Sequence, residues 1–235
     1  EFFRFFQLLQ NFCVTDLSNF YLDIAQDRLY VSAPHDQRRR SCQTVMALII
    51  ERLAGLIAPV LCHMAEDIWQ NLPYPVEETS VFHRGWPTVP VEWRDAALSA
   101  PVQELRELRA AVNKVLEDCR GRQELGASLE AAVRIDARRP ELQAALSWLS
   151  ETGDPEVDGL RDWLLVSQLQ IGGEPWAEVL ASQDDELASI EVSRARGTKC
   201  ERCWHYEGDV GQHLEHPHIC GRCVGVLERR THQLA

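Results

Sequence analysis

Four cysteines near the C-terminus constrain the fold of this chain more than any other feature. Cys200, Cys203, Cys220 and Cys223 form two C-x2-C pairs that are separated by sixteen residues. Two such pairs can direct four thiolates at one point and complete the tetrahedral coordination shell of a single zinc ion. Because a filled shell leaves no position for water or substrate, the spacing predicts a structural zinc site. The metal would organise about forty residues that cannot bury a sufficient core of their own.

Two other chemistries fit the same cysteines. The pairs could be redox dithiols or disulfides, but the remaining cysteines stand singly in helical patterns, as is typical of a reducing compartment; they are Cys13, Cys42, Cys62 and Cys119. A histidine could also replace one thiolate, giving a site of three cysteines and one histidine; the candidates are His205, His213, His216 and His218. The symmetry of the pairs favours four cysteines, with the histidines in exposed loops. Gly221 would then relax the turn beneath the second pair.

Composition and hydropathy indicate a globular protein. The chain has 235 residues, of which 45% are hydrophobic and 26% are charged, which is enough for one or two cores and a small appendage. Charged residues and Pro59 interrupt the longest apolar stretches, so we expect no membrane-spanning segment. The N-terminus lacks the features of a signal peptide, which predicts a cytoplasmic protein. Because the chain opens without methionine in what reads as the middle of a helix, we expect a fragment of a longer polypeptide.

The negative charge of the chain is concentrated in one segment. Residues 151–191 contain eleven acidic residues against one arginine, which accounts for −10 of the net charge of −12. The rest of the chain is close to neutral, so its charge does not exclude a nucleic-acid partner. Of the 24 basic residues only Lys114 and Lys199 are lysines, and arginine is well suited to phosphate forks and base stacking. Arginines cluster at 38–40, at 194 and 196, and around the cysteines.

Hydrophobic periodicity predicts a mainly α-helical chain that includes an α+β module. Apolar residues at spacings of three and four indicate a helix over residues 1–31, a second helix that ends near Pro59 and a third that ends before Pro73. These three helices would form an antiparallel bundle. A further helix opens at Pro101. Period-two alternation then indicates strands over Ser128–Ile135 and Leu187–Arg194. We also expect a helix over Leu142–Leu149 and a possible strand over Leu164–Ile171.

These elements predict four regions. A helical bundle would occupy residues 1–75, a connector 76–100, a mixed α/β junction module 101–195 and a small zinc finger with four cysteine ligands 196–235.

Successive segments of the chain resemble the C-terminal part of bacterial-type isoleucyl-tRNA synthetases. Asn11–Ser18, Phe20–Ile24 and Asp27–Tyr30 are similar to the anticodon-binding helices of that family. Lys199–Tyr206 with Cys220–Cys223 resembles its C-terminal zinc finger. Further similar segments, which follow in the order of the family, are Arg39–Val45, Leu56–Pro59, Ala65–Trp69 and Gly126–Ala131. The resemblance therefore covers nearly the whole chain.

The resemblance implies a specific function. The complete enzymes of this family attach isoleucine to tRNA(Ile) with ATP, through isoleucyl-adenylate, and their C-terminal part reads the anticodon. This chain would be that tRNA-binding part, joined to the rest of the synthetase polypeptide and monomeric. No segment resembles the family's ATP-binding signatures, and no Gly-rich phosphate loop of the usual spacing occurs. We therefore expect no catalytic residue here, and ATP binding and editing only in the complete enzyme.

Recognition of a single-stranded RNA loop would combine stacking with phosphate contacts. Arg202 and Trp204 flank Cys203, so a bound zinc would fix the direction of both side chains. We predict that they contact the anticodon loop together with Arg222. We also predict RNA contacts from the arginine run Arg38, Arg39 and Arg40. The alternatives are that Trp204 covers the zinc knuckle as its small core and that the arginine run only caps and solvates a helix start.

Two other functions stay open. DNA-repair glycosylases of the formamidopyrimidine type end in a zinc finger of similar spacing, although the Asn11–Tyr30 stretch resembles the synthetase. An acidic protein-interaction module is the third possibility, in which residues 151–191 would dock a basic partner.

Overall fold

The computed structural model describes residues 1–151 and 159–234, with side chains as far as Arg229. Residues 152–158, which belong to the acidic segment, lie outside the described residues. The chain divides into two compact units, one comprising Glu1–Arg38 with Ala96–Ala235 and the other Arg39–Asp95. The four-region organisation stays a prediction.

The N-terminal residues are helical, as the periodicity predicts. Helix α1 (Phe2–Asn11) passes into a π-helical segment (Phe12–Leu22) and then into α2 (Asp23–Tyr30). After a short loop, α3 (Gln37–Ile57) begins where the Asp36 carboxylate accepts a hydrogen bond from the backbone N–H of Arg38, at 3.0 Å. This contact satisfies one of the amide groups that a helix start leaves unpaired.

The unit Arg39–Asp95 contains most of α3, helix α4 (Cys62–Gln70) and two 3-10 turns, Val81–His83 and Val91–Trp93. Trp69 of α4 is buried and its indole N–H donates to the carbonyl of Glu78, at 2.9 Å. Glu66 accepts hydrogen bonds from the Ser80 hydroxyl at 2.8 Å and from the backbone N–H of Val81 at 3.1 Å. These contacts hold the segment after α4, which has little regular secondary structure, against that helix.

The other unit contains a small mixed sheet. The helices and strands of this part of the unit are α5 (Ala96–Gly121), β1 (Ala131–Ala137), α6 (Pro140–Glu151), α7 (Leu160–Leu164), β2 (Gln168–Ile171), β3 (Ala181–Asp184) and β4 (Ala188–Arg194). The strand order is β2-β1-β4-β3, with β1 parallel to β2 and antiparallel to β4, and β3 antiparallel to β4. Val133 lies opposite Val192, and Ile135 opposite Ile190. These residues form one buried cluster with Leu105 of α5.

Three elements begin three or more residues away from their predicted starts. Helix α5 begins at Ala96 and not at Pro101, so Pro101 lies inside it, where its missing N–H removes a single intrahelical hydrogen bond. Strand β1 begins at Ala131 because Ser128–Glu130 forms a 3-10 turn. Only Gln168–Ile171 of the possible strand Leu164–Ile171 is extended, because α7 continues to Leu164.

The C-terminal residues form a short hairpin of β5 (Thr198–Lys199) and β6 (Tyr206–Glu207), followed by helix α8 (Gly221–Leu234). The predicted fold class is confirmed: the chain is mainly helical, with a small mixed sheet and a C-terminal cluster of four cysteines. Among the residues that the structure describes, no helix is both long enough and apolar enough to cross a membrane.

Candidate metal centre and the adjoining groove

The four cysteines predicted as ligands lie together and are buried. Their sulfur atoms all lie within 4.8 Å of one another. The Sγ atoms of Cys200 and Cys223 are 3.8 Å apart, and those of Cys203 and Cys220 are 3.7 Å apart. A tetrahedral site with zinc–sulfur bonds of about 2.3 Å has sulfur–sulfur edges of about 3.8 Å, whereas a disulfide bond measures about 2.05 Å. The arrangement therefore fits one tetrahedrally coordinated ion and not two disulfides.

Local hydrogen bonds hold each cysteine pair in place. The first pair lies in the β5–β6 hairpin, where the backbone N–H of Cys200 donates to the His205 carbonyl at 2.8 Å and that of Trp204 donates to the Cys200 carbonyl at 2.9 Å. The second pair begins α8, and the N–H of Cys220 points at the Cys200 sulfur, at 3.3 Å. Such N–H groups stabilise thiolate ligands. The cysteines are therefore oriented by backbone contacts that the metal would reinforce.

Two expectations about the finger need correction. Gly221 does not have a positive φ; its N–H donates to the Asp209 carboxylate at 2.8 Å, and a Cβ there would lie 2.7 Å from the same oxygen. The glycine thus makes room for a carboxylate and does not relax a turn. His205 is buried, with Nδ1 3.3 Å from the Cys203 carbonyl, and is not in an exposed loop. Among the described residues, the metal-binding cluster contains cysteines alone.

The electrostatics of the cluster favour a thiolate at Cys203. Hydrogen bonds from the Cys223 thiol and from the His205 and Arg222 side chains lower the pKa of the Cys203 thiol, although burial opposes this shift. Arg202 Nη1 lies 3.6 Å from the Cys223 sulfur. Four thiolates around a divalent ion carry a net charge of about −2, so two neighbouring guanidinium groups can balance that charge. Burial raises the pKa of the Cys220 thiol, and the hydrogen bond to Cys203 together with burial raises the pKa of the Cys223 thiol, so binding of a metal ion would displace their protons.

The same two arginines attach the finger to helix α2. Arg222 donates two hydrogen bonds to the Asp27 carboxylate, both at 2.8 Å. Arg202 donates to the carbonyl of Val31 at 2.6 Å, just beyond the end of α2. Val31 itself is buried against the cysteines. The arginines that the sequence assigned to RNA are thus engaged in contacts within the chain.

Contacts with the sheet module complete the attachment of the finger. The backbone N–H of Tyr206 donates to the Ser167 hydroxyl at 2.8 Å, and Arg161 pairs with Glu207 at 3.0 Å. At the base of the hairpin Gly197 has φ +99°, and a Cβ at this position would lie 2.5 Å from the Glu207 carbonyl oxygen. Only glycine allows the two strands to meet so closely.

Trp204 is exposed beside the metal cluster. Its side chain is 61% exposed, its backbone has φ +66°, and Lys199 Nζ lies 5.8 Å from the ring centroid. The apolar residues packed around the cysteines are Val31, Val210 and Ile219. Trp204 is therefore not the small core of the finger, which was the alternative interpretation. A left-handed backbone is uncommon for a bulky residue.

A groove of about 440 Å³ lies between α2 and the finger. Its lining comes from α2 and the residue after it, from the finger, and from the segments around residues 128 and 165. The lining residues are Asp23, Gln26, Asp27, Tyr30, Val31, Ala127, Ser128, Leu129, Leu165, Arg202, Cys203, Trp204 and His205. The sequence did not predict that α2 contributes to the groove, because Asp27 and Arg222 are separated by 195 positions and no local pattern links them.

The predicted arginine run is not brought to the finger as a group. The Arg38 side chain is largely buried and lies 3.8 Å from Asp162. Arg40 is exposed and Arg39 is half-buried, and both belong to the unit Arg39–Asp95. The structure therefore brings Arg202, Trp204 and Arg222 together with the cysteines, and it places Arg39 and Arg40 in the other unit.

Comparison with known proteins gives the family of the chain. A family described as anticodon-binding domain of tRNA ligase matches residues 1–135, and a zinc finger found in FPG and IleRS matches residues 197–225. The zinc-finger match is shared by two protein classes and does not distinguish between them, whereas the match to the anticodon-binding domain does.

The similar curated proteins are named as isoleucine–tRNA ligases. That of Parasynechococcus marenigrum (strain WH8102) is 88% identical over 228 residues, which are 97% of this chain and 23% of the relative. Those of Synechococcus sp. (strain CC9311) and Prochlorococcus marinus (strain MIT 9313) are 77% and 75% identical over 230 residues, 98% of this chain and 24% of each relative. The chain thus spans about a quarter of the length of these relatives. With more than half of its residues in the first family match, the chain belongs to the anticodon-binding domain family of tRNA ligases.

Proposed function

We propose that the chain is the anticodon-recognising, tRNA(Ile)-binding portion of an isoleucine–tRNA ligase. The observation that carries this proposal is the exposed Trp204 ring, held at the edge of a groove between the finger and α2 of the anticodon-binding match. An exposed ring that is rigidly presented is a stacking surface for an unpaired base. The ligase activity, with ATP and isoleucine as substrates, would belong to other parts of a longer polypeptide, in line with the names and lengths of the relatives.

The proposed metal is one zinc ion held by Cys200, Cys203, Cys220 and Cys223. Support comes from sulfur–sulfur distances of 3.7 and 3.8 Å and from the match to a zinc finger. Bound zinc would supply structural cross-linking, since four thiolates leave no open coordination position. The hairpin has two residues in each strand, which is too short to be stable without such a cross-link.

The RNA contacts would be divided among the predicted residues. Trp204 would stack on a base, whereas Arg202 and Arg222 would fix the finger against α2 and present their remaining N–H groups to the loop. Arg38, Arg39 and Arg40 would contact phosphates. Holding the anticodon end in one position would align the distant acceptor end with a catalytic site elsewhere in the polypeptide, because small misplacements cost much of a reaction rate. We further propose that the protein is cytoplasmic and monomeric.

The test is equilibrium binding of the zinc-loaded chain to tRNA(Ile) and to the same tRNA with a changed anticodon, at two salt concentrations. A preference for the isoleucine anticodon that persists at the higher salt is expected, because base contacts depend on salt less than phosphate contacts do. The matched control is Leu214→Ala, a fully exposed position in the finger that does not line the groove. Equal and salt-labile binding of both tRNAs, or no binding, would contradict the proposal.

A further inference from the structure

A second groove lies on one face of the mixed sheet, apart from the metal cluster. Val133 and Val192 are paired across β1 and β4 and belong to the buried core. Because side chains alternate along a strand, their neighbours Ala132 and Ser193 lie on the opposite face. Both line a groove of about 950 Å³, together with residues of β2 and of the segment 174–178. We call it the sheet groove, and its volume lies near the upper end of the range of about 300–1,000 Å³ that is usual for small-ligand sites.

Trp176 supplies an aromatic surface of the sheet groove and is held in place at two points. Its backbone N–H donates to the Glu191 carboxylate at 2.9 Å, and its indole N–H donates to the side-chain oxygen of Gln170 at 3.0 Å. The buried Arg134 lies 3.3 Å from Glu191 and also donates to the Gly173 carbonyl at 2.5 Å. The ring is therefore positioned before a ligand arrives, which lowers the entropy cost of stacking on it.

Two arginines of the sheet groove are free to bind an anion. Arg194 and Arg196 are exposed and line the groove, and among the described residues neither side chain has a hydrogen-bond or ion-pair partner. The Gln168 side chain holds the backbone of Arg196 through two hydrogen bonds, at 2.8 and 3.0 Å. The Ser193 hydroxyl also has no partner in the described part of the chain. Guanidinium groups bind phosphate through paired N–H groups, and a hydroxyl can donate a further hydrogen bond.

The acidic residues of the lining indicate what else the ligand carries. Glu174 and Glu178 are exposed and line the groove, and their side chains have no partner among the described residues. An ionised carboxylate only accepts hydrogen bonds, so these two residues suit amine or hydroxyl donors. A nucleotide combines a phosphate for the arginines, a flat ring for Trp176 and donors on its base and ribose. An inorganic phosphate ion would use the arginines alone.

We propose that the sheet groove binds one nucleoside monophosphate unit, with its ring against Trp176 and its phosphate on Arg194 and Arg196. The unit is a free nucleotide or one nucleotide of an RNA strand, since both carry the same ring and phosphate ester. Glu174 and Glu178 accept hydrogen bonds from the base or the ribose. The site is separate from the anticodon contacts of the proposed function and does not depend on them.

The test is an NMR titration of the zinc-loaded chain with adenosine 5′-monophosphate. The backbone amides of Ser193 and Arg196 and the indole N–H of Trp176 should shift together and reach saturation. Adenosine should bind about 10-fold more weakly, because it lacks the phosphate that the arginines hold. If these three signals stay unchanged at millimolar nucleotide, the inference is wrong.

Single substitutions separate the phosphate contact from the ring contact. Arg196→Gln should weaken binding of the monophosphate about 10-fold and leave adenosine binding unchanged, because the partner of the arginine is absent from adenosine. Trp176→Ala should weaken binding of both ligands about 5- to 150-fold, whereas Trp176→Phe keeps a ring and most of the affinity. Arg138→Gln is the matched control, since Arg138 belongs to the same module, pairs with Asp184 and does not line the groove. An equal loss for both ligands in Arg196→Gln would contradict the phosphate contact.

A competition experiment distinguishes the two sources of the nucleotide. If an anticodon stem-loop of tRNA(Ile) shifts the same three signals and displaces the monophosphate, the site holds a nucleotide of RNA. If the stem-loop binds and leaves the monophosphate in place, the site takes a free nucleotide. In both cases Arg196→Gln should leave the preference for the isoleucine anticodon unchanged, so failure of the sheet groove and failure of the proposed function are measured separately.

Discussion

The residue with the clearest conflict between stability and function is Trp204. A left-handed backbone at a residue other than glycine costs about 1–3 kcal/mol, and the rest of the structure must offset it. Here the Trp204 N–H bonds to the Cys200 carbonyl at 2.9 Å, within the knuckle that the metal would cross-link. Retaining a large exposed ring in this conformation is difficult to explain by folding stability alone, and is consistent with a surface kept for binding.

Replacing Trp204 should separate the two effects. Trp204→Gly should raise the free energy of unfolding of the zinc-loaded finger by about 1 kcal/mol, because glycine adopts φ +66° without strain. The same change should weaken tRNA binding about 5- to 150-fold by removing the stacking surface. Trp204→Ala is the matched control, which loses the ring and keeps the strain. Thermal unfolding and equilibrium binding measure both quantities, and equal stability of the two variants would contradict the argument.

The residues of the metal site could be predicted from the sequence, but their partners could not. The spacing of Cys200 and Cys203 encodes their shared ligand geometry, because both lie in one short hairpin. Arg202 and Arg222 could also be placed near the metal by their position in sequence. Their contacts with Val31 and Asp27 join positions 171 and 195 apart. Only the folded chain reveals that these arginines hold α2, and Tyr30 had no local signal that set it apart from a core aromatic residue.

Among the elements, strands with one buried face were predictable and short edge elements were not. Strand β4 was expected almost as observed because Ala188, Ile190 and Val192 alternate towards the core. Strand β3, Ala181–Asp184, was missed because four small or polar residues carry no alternation of that kind. Residues 160–165 contain leucines that suit either a helix or a strand. There the choice depends on packing, since Leu160 and Leu164 both reach the core from α7.

Metal removal should act on one element and spare the sheet module. A chelator, or Cys220→Ser, should remove zinc and abolish amide-exchange protection of Cys200 and Trp204, because the two-residue strands of the hairpin lack other cross-links. The amides of Val133 and Ile135 should remain protected, since they lie in a buried sheet that contains no ligand cysteine. Hydrogen exchange followed by mass spectrometry measures both regions.

Cys62→Ser supplies the control for this experiment. Cys62 is exposed, lies at the start of α4 and is not part of the metal cluster. Its replacement should leave one zinc per chain and full protection of the hairpin. Retention of zinc and of hairpin protection in Cys220→Ser would contradict the structural role of the metal.

The contact between α4 and the segment after it should depend on pH. Hydrogen bonds from Gln70 and Ser80 lower the pKa of Glu66 below its ordinary value of 4.5, with a further contribution from the Val81 N–H, although slight desolvation acts in the opposite direction. A lowered folded-state pKa means that the ionised form stabilises the contact above pH 4.5, and that this stabilisation is lost as the pH falls through the folded-state pKa.

The amide of Val81 reports on this carboxylate directly, because it donates to Glu66 Oε2. Its proton chemical shift should titrate with a midpoint below pH 4.5, as measured by NMR. Glu66→Gln removes the ionisable group and should abolish the titration. A midpoint at or above pH 4.5 in the unmodified chain would show that the ionised form is not favoured by folding.

At the scale of the whole molecule, part of the strong negative charge is used inside the fold. Asp162 lies 3.8 Å from Arg38, Asp184 pairs with Arg138, and Glu191 contacts the buried Arg134. Asp185 accepts hydrogen bonds from two backbone N–H groups at the turn before β4. These four acidic residues thus take part in contacts within the fold, whereas Glu174, Glu178 and Glu186 of the same segment are exposed.

The same internal pairing limits how strongly tRNA binding can depend on salt. Several arginines take part in ion pairs within the described residues, and these arginines are less available to neutralise phosphates. For three to six phosphate contacts, the slope of log K against log salt concentration would be about −2 to −5.

Arg40→Gln should make the slope shallower by about 0.7–0.9, since Arg40 is exposed and is a predicted phosphate contact. Arg138→Gln, at an arginine already paired with Asp184 at 2.5 Å, should leave the slope unchanged. A slope steeper than about −7 in the unmodified chain would mean that the internal ion pairs open to bind RNA.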